Sequence, residues 1–141
     1  DAKSEFGDTW NYPYYSVCTT STHDMGGIRL WWENDRSVSQ RYFNNVLHET
    51  GEAPVYAEPW ICGKIITLQL KSPSMLCILP LQDWLSTDSN LRRQNPAEEQ
   101  INMPANPRHY WRYRMHLTVE NLISQDSFNG MLTSMIRESG R

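Results

Sequence analysis

Apolar positions along the chain fall in the order strand, helices, strand, helix. Tyr14-Tyr15-Ser16-Val17-Cys18 is rich in strand formers, and Pro13 stands where a first-residue proline is tolerated. Thr19 to Thr22 continue the run in β-branched and hydroxyl residues, so the strand is predicted to end near His23. Ile28, Trp31 and Trp32 then keep the i, i+3, i+4 spacing of a helix that opens around Met25 to Ile28. Val38, Tyr42, Val46 and Leu47 share one face of a second helix predicted over 37–48, with Gly51 as its stop. Pro59 suits a first helical turn, and Ile61, Ile65 and Leu68 form a stripe on a helix that must stop before Pro73. Residues 74–80 (Ser-Met-Leu-Cys-Ile-Leu-Pro) do not alternate, as expected of a parallel strand covered on both faces. Residues 81–85 read as a short helix.

From residue 86 to 108 the chain is polar and carries Pro96, Pro104 and Pro107. A loop of that length in a compact domain is more often functional than idle. Residues 111–116 are predicted to be extended. Thr118 is placed to cap a helix through Leu122 and Ile123. The last helix has Asp126 as expected N-cap, Phe128, Met131, Leu132, Met135 and Ile136 on one face, and Gly140 as stop. Residues 1–11 read as loop. The chain thus divides into a strand region over 12–24, helices over 25–72, a second strand over 74–80, a loop region over 81–116 and terminal helices over 117–141. Strand, helix, strand implies a parallel pair joined by a right-handed crossover. Two such strands neither close a sheet nor bury both faces, so the pattern reads as the tail of a larger α/β protein.

Composition narrows the function classes. The formal charge is −3 over 141 residues, which argues against a general nucleic-acid binder. The basic residues cluster only at Arg92-Arg93 and between Arg108 and Arg114. The longest apolar run, Met75 to Leu79, is far too short to span a bilayer. Cys18, Cys62 and Cys77 lie far apart without a C-x-x-C pair, which suggests reduced thiols and a cytoplasmic compartment. Asp1 is not an initiator residue, and a longer parent chain is expected. Six Trp and seven Tyr are a heavy load of flat amphipathic rings. Most are core candidates, but such rings also form platforms for sugar rings. Tyr110, Trp111 and Tyr113, in a Pro/Asn-rich loop, suit the second role better than Trp31 and Trp32 do.

Two polar pairs follow the two strands: His23-Asp24 and Gln82-Asp83. In a parallel sheet both lie at the carboxyl edge, where barrels and open α/β sheets bind ligands. Asp24 has an alternative role as a helix cap, and Asp83 as a cap or an arginine partner. A metal set of His23, Asp24 and Cys18 lacks further ligands at a recognisable spacing. Met25-Gly26-Gly27 lacks the other glycines and the lysine of a phosphate loop. Ser21, His23 and Asp24 make a poor catalytic triad, because adjacent strand residues point to opposite faces.

Val17-Cys18-Thr19-Thr20-Ser21-Thr22-His23-Asp24 followed by Trp31-Trp32 resembles the Thr-His-Asp strand of the amylomaltases, the 4-α-glucanotransferases also called disproportionating enzymes. Leu79-Pro80-Leu81-Gln82-Asp83-Trp84-Leu85 resembles the family's Pro-x-Gln-Asp segment after the last barrel strand. Asn102-Met103-Pro104 and the downstream Tyr110-Trp111-Arg112-Tyr113-Arg114 resemble its Asn-x-Pro…Asn-Trp-x-Trp-Arg loop, with the second asparagine and the second tryptophan replaced. The long insertion from Ser86 to Gln100 is similar to that of the larger plant cytosolic-type members and their bacterial relatives. The resemblance implies an α/β fold: about the last two β-α units of a (β/α)8 TIM barrel, incomplete alone. It implies a retaining transfer of an α-1,4-glucan segment between malto-oligosaccharides or glucans, without metal or organic cofactor. Asp24 becomes the third, transition-state-stabilising carboxylate. His23, Thr22, Gln82, Asp83, Asn102, Trp111 and Arg114 become substrate-binding residues. The nucleophile and acid/base match nothing in this chain, so the chain alone is expected to be inactive. Its implied partners are malto-oligosaccharides, α-1,4-glucans and the upstream part of the same barrel, with neither nucleic acid nor membrane. Two alternatives are a stand-alone, non-catalytic carbohydrate-binding or interaction module derived from such a barrel, and an unrelated α/β hydrolytic domain using His23 and Asp24.

Overall fold

The computed structural model of the chain describes residues 4–141. Its two strands, β1 (Val17–Cys18) and β2 (Leu76–Cys77), pair in parallel, with Val17 opposite Leu76 and Cys18 opposite Cys77. Backbone bonds extend this contact in both directions. The Met75 N–H donates to Tyr14 O at 2.7 Å and the Ile78 N–H to Cys18 O at 3.0 Å. The regular ladder is much shorter than the predicted 12–24 and 74–80. Before it, the Ser16 hydroxyl turns back onto Pro13 O and bends the chain. Beyond it, neither strand has a second neighbour among the described residues to hold it extended.

Helices α1 (Ile28–Asn34), α2 (Arg36–Asn45) and α3 (Pro59–Leu70) link the strands. After β2 come α4 (Leu81–Leu85), α5 (Val119–Ile123) and α6 (Asp126–Glu138). Local chemistry explains several boundaries. The Asp35 carboxylate accepts the Ser37 and Val38 N–H groups at 2.9 and 3.2 Å, starting α2. Pro59 opens α3 where its missing N–H costs nothing. The Thr118 hydroxyl accepts the Asn121 N–H at 3.1 Å, so α5 is capped as expected.

Other boundaries differ from the sequence reading. Helix α2 stops at Asn45 rather than His48. His48 takes φ 55° and the Glu49 N–H reaches back to Phe43 O at 3.0 Å, a left-handed C-terminal motif with histidine in the usual glycine place. Gly51, at φ 86°, only turns the chain afterwards. Asp126 is the first helical residue of α6 and not its cap, a position in which its charge still favours the helix N-terminus. Residues 111–116 join no strand. Two short 3-10 turns were read as loop: Thr9–Asn11, capped by Asp8, and Pro96–Glu99, capped by Asn95. Residues 1–3 of the predicted N-terminal loop lie outside the described residues.

Helix α3 covers the strand face that carries Cys18, whose thiol donates to Gln69 O of that helix at 3.5 Å. Ile61, Cys62, Ile65, Ile66 and Leu70 of α3 join Ile28, Trp32 and Phe43 in the main core. Trp32 is wholly buried, and its indole N–H is satisfied by Pro54 O at 2.9 Å. A second cluster of Leu85, Leu91 and Phe128 fixes α4 and α6 beneath the long loop, with Trp84 packed against both clusters. Among the described residues the other strand face has no such cover. Val17, Leu76 and Ile78 stand 59%, 46% and 61% exposed on it. The cover expected on both faces is present on one. No described helix is long and apolar enough to cross a membrane. Cys18, Cys62 and Cys77 are free thiols.

Candidate functional site

The parallel register brings the segments after β1 and β2 to one edge. There Asp83 faces inward and is 2% exposed. One carboxylate oxygen accepts the Thr20 and Ser21 hydroxyls at 2.5 and 2.6 Å; the other accepts the Ile28 N–H at 2.8 Å. A single side chain from α4 thus ties the end of β1 to the start of α1. The N-cap residue of α1 is Gly27, which has no side chain to cap with, so Asp83 caps that helix from a distance of 55 residues. Both oxygens are occupied, and this geometry makes Asp83 a strut, consistent with the capping alternative rather than sugar contact. Asp24 caps nothing. A Cβ on Gly27 would come 2.6 Å from the Asp83 oxygen, so glycine is needed there for the approach.

His23 and Asp24 project outward from this strut, each side chain 55% exposed. The His23 Nε2 lies 3.4 Å from Asp24 Oδ1. Asn102 clamps the pair from the long loop. Its amide donates to Asp24 Oδ1 at 2.7 Å and its backbone N–H to His23 O at 3.1 Å. Thr22 sets the local turn, its hydroxyl accepting the Asp24 N–H at 3.4 Å. The Trp111 ring, also exposed, lies with its centroid 5.3 Å from that of His23. Both recorded contacts to the Asp24 carboxylate fall on Oδ1. Its other oxygen has no partner among the described residues and is open to a ligand hydroxyl.

Gln82 lies just beneath, lining with His23 and Ser21 a cavity of about 30 Å³. Arg114 does not reach this cluster. It lines a neighbouring open cleft, and its carbonyl accepts a bond from Arg93 at 2.7 Å. The structure therefore gathers Thr22, His23, Asp24, Asn102 and Trp111, places Gln82 below them, turns Asp83 inward and sets Arg114 apart.

Two further residues hold the site together. Arg29 of α1 and Glu99 form a buried ion pair at 2.8 Å, with side chains 5% and 6% exposed. Arg29 also donates to Arg93 O at 2.6 Å and Gln94 O at 3.1 Å, so it anchors the loop that delivers Asn102. Burial pushes the Glu99 carboxyl above its usual range, while the Arg29 charge pulls it back. Sequence spacing could not show this pair, whose members stand 70 residues apart. The hydroxyl run Thr19 to Thr22 was the one local sign of a polar tie beneath the site.

Outward polar groups at the carboxyl edge of parallel strands, with helices behind, define an α/β ligand-binding edge. The chain belongs to the 4-alpha-glucanotransferase family, whose family model matches residues 1–118. It is 35% identical to the rice 4-alpha-glucanotransferase DPE2 over 97% of its own length and 14% of that protein. It is 29% identical to a 4-alpha-glucanotransferase of Chlamydia caviae over 88% of its length and 23% of that protein. In fold it is similar to an amylomaltase from Streptococcus agalactiae solved in complex with acarbose, with TM-score 0.67 and 22% identity over 93% of this chain and 23% of that one. The chain spans well under a third of these relatives' length.

Proposed function

We propose that this chain is the segment of a longer 4-α-glucanotransferase that contributes about the last two β-α units of a (β/α)8 barrel. The uncovered strand face of Val17, Leu76 and Ile78 suits a barrel interior filled by side chains of the missing strands. Helix α3, on the opposite face, takes the place of the outer ring. The short share of the relatives that the chain spans speaks against a stand-alone module.

In the complete enzyme, a glucan segment passes from one malto-oligosaccharide or glucan to another by double displacement. A carboxylate nucleophile and a carboxylic acid/base from elsewhere in the barrel make and break the covalent bond. Asp24 supplies the third carboxylate. The hydrogen bond from Asn102 to Asp24 carries this reading, because it orients one carboxylate oxygen and leaves the other for a sugar hydroxyl. His23 faces the same sugar, and Trp111 offers an apolar platform beside it. Hydrogen bonds of this kind tighten as the sugar ring flattens toward an oxocarbenium ion.

The test is Asp24→Asn in the complete enzyme, followed by glucose release from maltotriose. Turnover is expected to fall by about two orders of magnitude or more, at unchanged fold, as for loss of a group that acts mainly in the transition state. A near-normal rate would remove Asp24 from the reaction.

A further inference from the structure

Beside the Asn102 clamp lies an open cleft of about 450 Å³. Its walls hold Arg93, Arg108, Arg112 and Arg114, against a single carboxylate, Glu98. This is a local excess of cations in a chain whose formal charge is −3. Glu98 pairs with Arg93 at 3.5 Å. Among the described residues the guanidiniums of Arg108, Arg112 and Arg114 lie within ion-pair distance of no carboxylate. Aromatic rings support two of the four cations: Arg112 stands 5.6 Å from the centroid of Tyr110, and Arg93 stands 5.8 Å from that of Tyr113.

Like charges gathered in one concavity repel, and the arrangement is favourable when an anion enters. A neutral glucan offers these groups nothing to neutralise. Guanidinium forks match phosphate oxygens in geometry as well as charge. The same loop carries Asn102 and Trp111, so an anion in the cleft sits beside the sugar-binding edge.

We propose that the cleft binds a phosphate monoester carried on a sugar, giving the enzyme a subsite for phosphorylated acceptors or donors. The inference rests on the glucanotransferase reading for its sugar and on the arginine cleft for its charge.

The test uses the complete enzyme and calorimetric binding of maltotriose, maltotriose 6-phosphate, a hexose 6-phosphate and inorganic phosphate at low and high salt. The phosphorylated trisaccharide is expected to bind at least about tenfold tighter than maltotriose at low salt, and the advantage shrinks as salt rises. Arg108→Gln/Arg112→Gln, both at exposed positions, removes that advantage and leaves turnover of neutral maltotriose unchanged. Equal affinities in the unaltered enzyme, or an advantage that survives the double variant, would overturn the proposal. A hexose 6-phosphate binding as tightly as the trisaccharide ester identifies free sugar phosphate as the ligand; tight binding of the longer ester alone identifies a phosphorylated glucan. If neutral maltotriose is not turned over but the arginine-dependent preference remains, the anion subsite stands and the transferase reading falls.

Discussion

Asp83→Ala distinguishes a strut from a sugar ligand. Three donors converge on this buried carboxylate, at 2.5, 2.6 and 2.8 Å. Losing the cap on the Ile28 N–H costs about 1 kcal/mol. Ser21 is buried, and leaving its hydroxyl without a partner costs about 1–3 kcal/mol. The half-buried Thr20 hydroxyl can turn partly to solvent and adds at most about 1 kcal/mol. The sum is about 2–5 kcal/mol, concentrated where β1 meets α1. Asp83→Asn should cost far less, about 1–2 kcal/mol, since the hydroxyls can rotate to accept from the new amide while its oxygen keeps the helix cap. A global melting curve of a long enzyme is not a clean two-state measure. Amide hydrogen exchange over α1 is the better assay, because it reads local opening directly. Asp83→Ala should lower protection there by about one and a half to three and a half orders of magnitude, and Asp83→Asn by about one. Maltotriose turnover should follow the same order, because the strut positions the segment that carries His23 and Asp24. Unchanged exchange in Asp83→Ala together with a raised KM would refute the strut and return Asp83 to the sugar.

Gly27→Ala should displace the Asp83 carboxylate, since the new Cβ would come 2.6 Å from its oxygen. A loss of about 1–2 kcal/mol in α1 stability is expected, net of the gain from a stiffer unfolded chain, and exchange at Ile28 is the readout. Arg29→Met leaves Glu99 buried without its partner and should cost about 3–5 kcal/mol, with faster proteolysis of the 92–100 loop. Adding Glu99→Gln should recover part of that loss, and no recovery would mean the two do not act as a pair. Burial pushes the Cys62 thiol up to about 11, against about 8.5 for a free cysteine. The folded value is the higher one, so the contribution to stability is complete below about pH 8.5 and is lost as pH rises through about 11. Alkylation of Cys62 by iodoacetamide at pH 8.5 should therefore be far slower in the folded protein than in urea, and equal rates would contradict its burial.

Local chemistry settled much of this molecule before any packing is considered. The stripe on α3, the Thr118 cap and the apolar face of α6 follow from side-chain spacing at the helical period and from one-residue signals, which act within a turn or two. His23, Asp24 and Asn102 were singled out by the resemblance of the Thr-His-Asp and Asn-x-Pro motifs to those of the amylomaltases. Strand length was less legible, because a strand exists only where a partner offers matching groups, and β1 and β2 share two residues each. The end of α2 was misplaced because His48 adopts a conformation that glycine usually supplies.

Tertiary structure alone decided what the polar residues do. Gln82-Asp83 and His23-Asp24 look alike in sequence, yet one aspartate is a buried strut and the other an exposed carboxylate held by Asn102. The difference comes from which donors lie close in space, and those donors are 78 residues away from Asp24 and up to 63 from Asp83. Arg29 and Glu99 show the same separation between sequence and role. Neither would stay charged and buried alone, and only the folded chain brings each the partner that makes its burial tolerable.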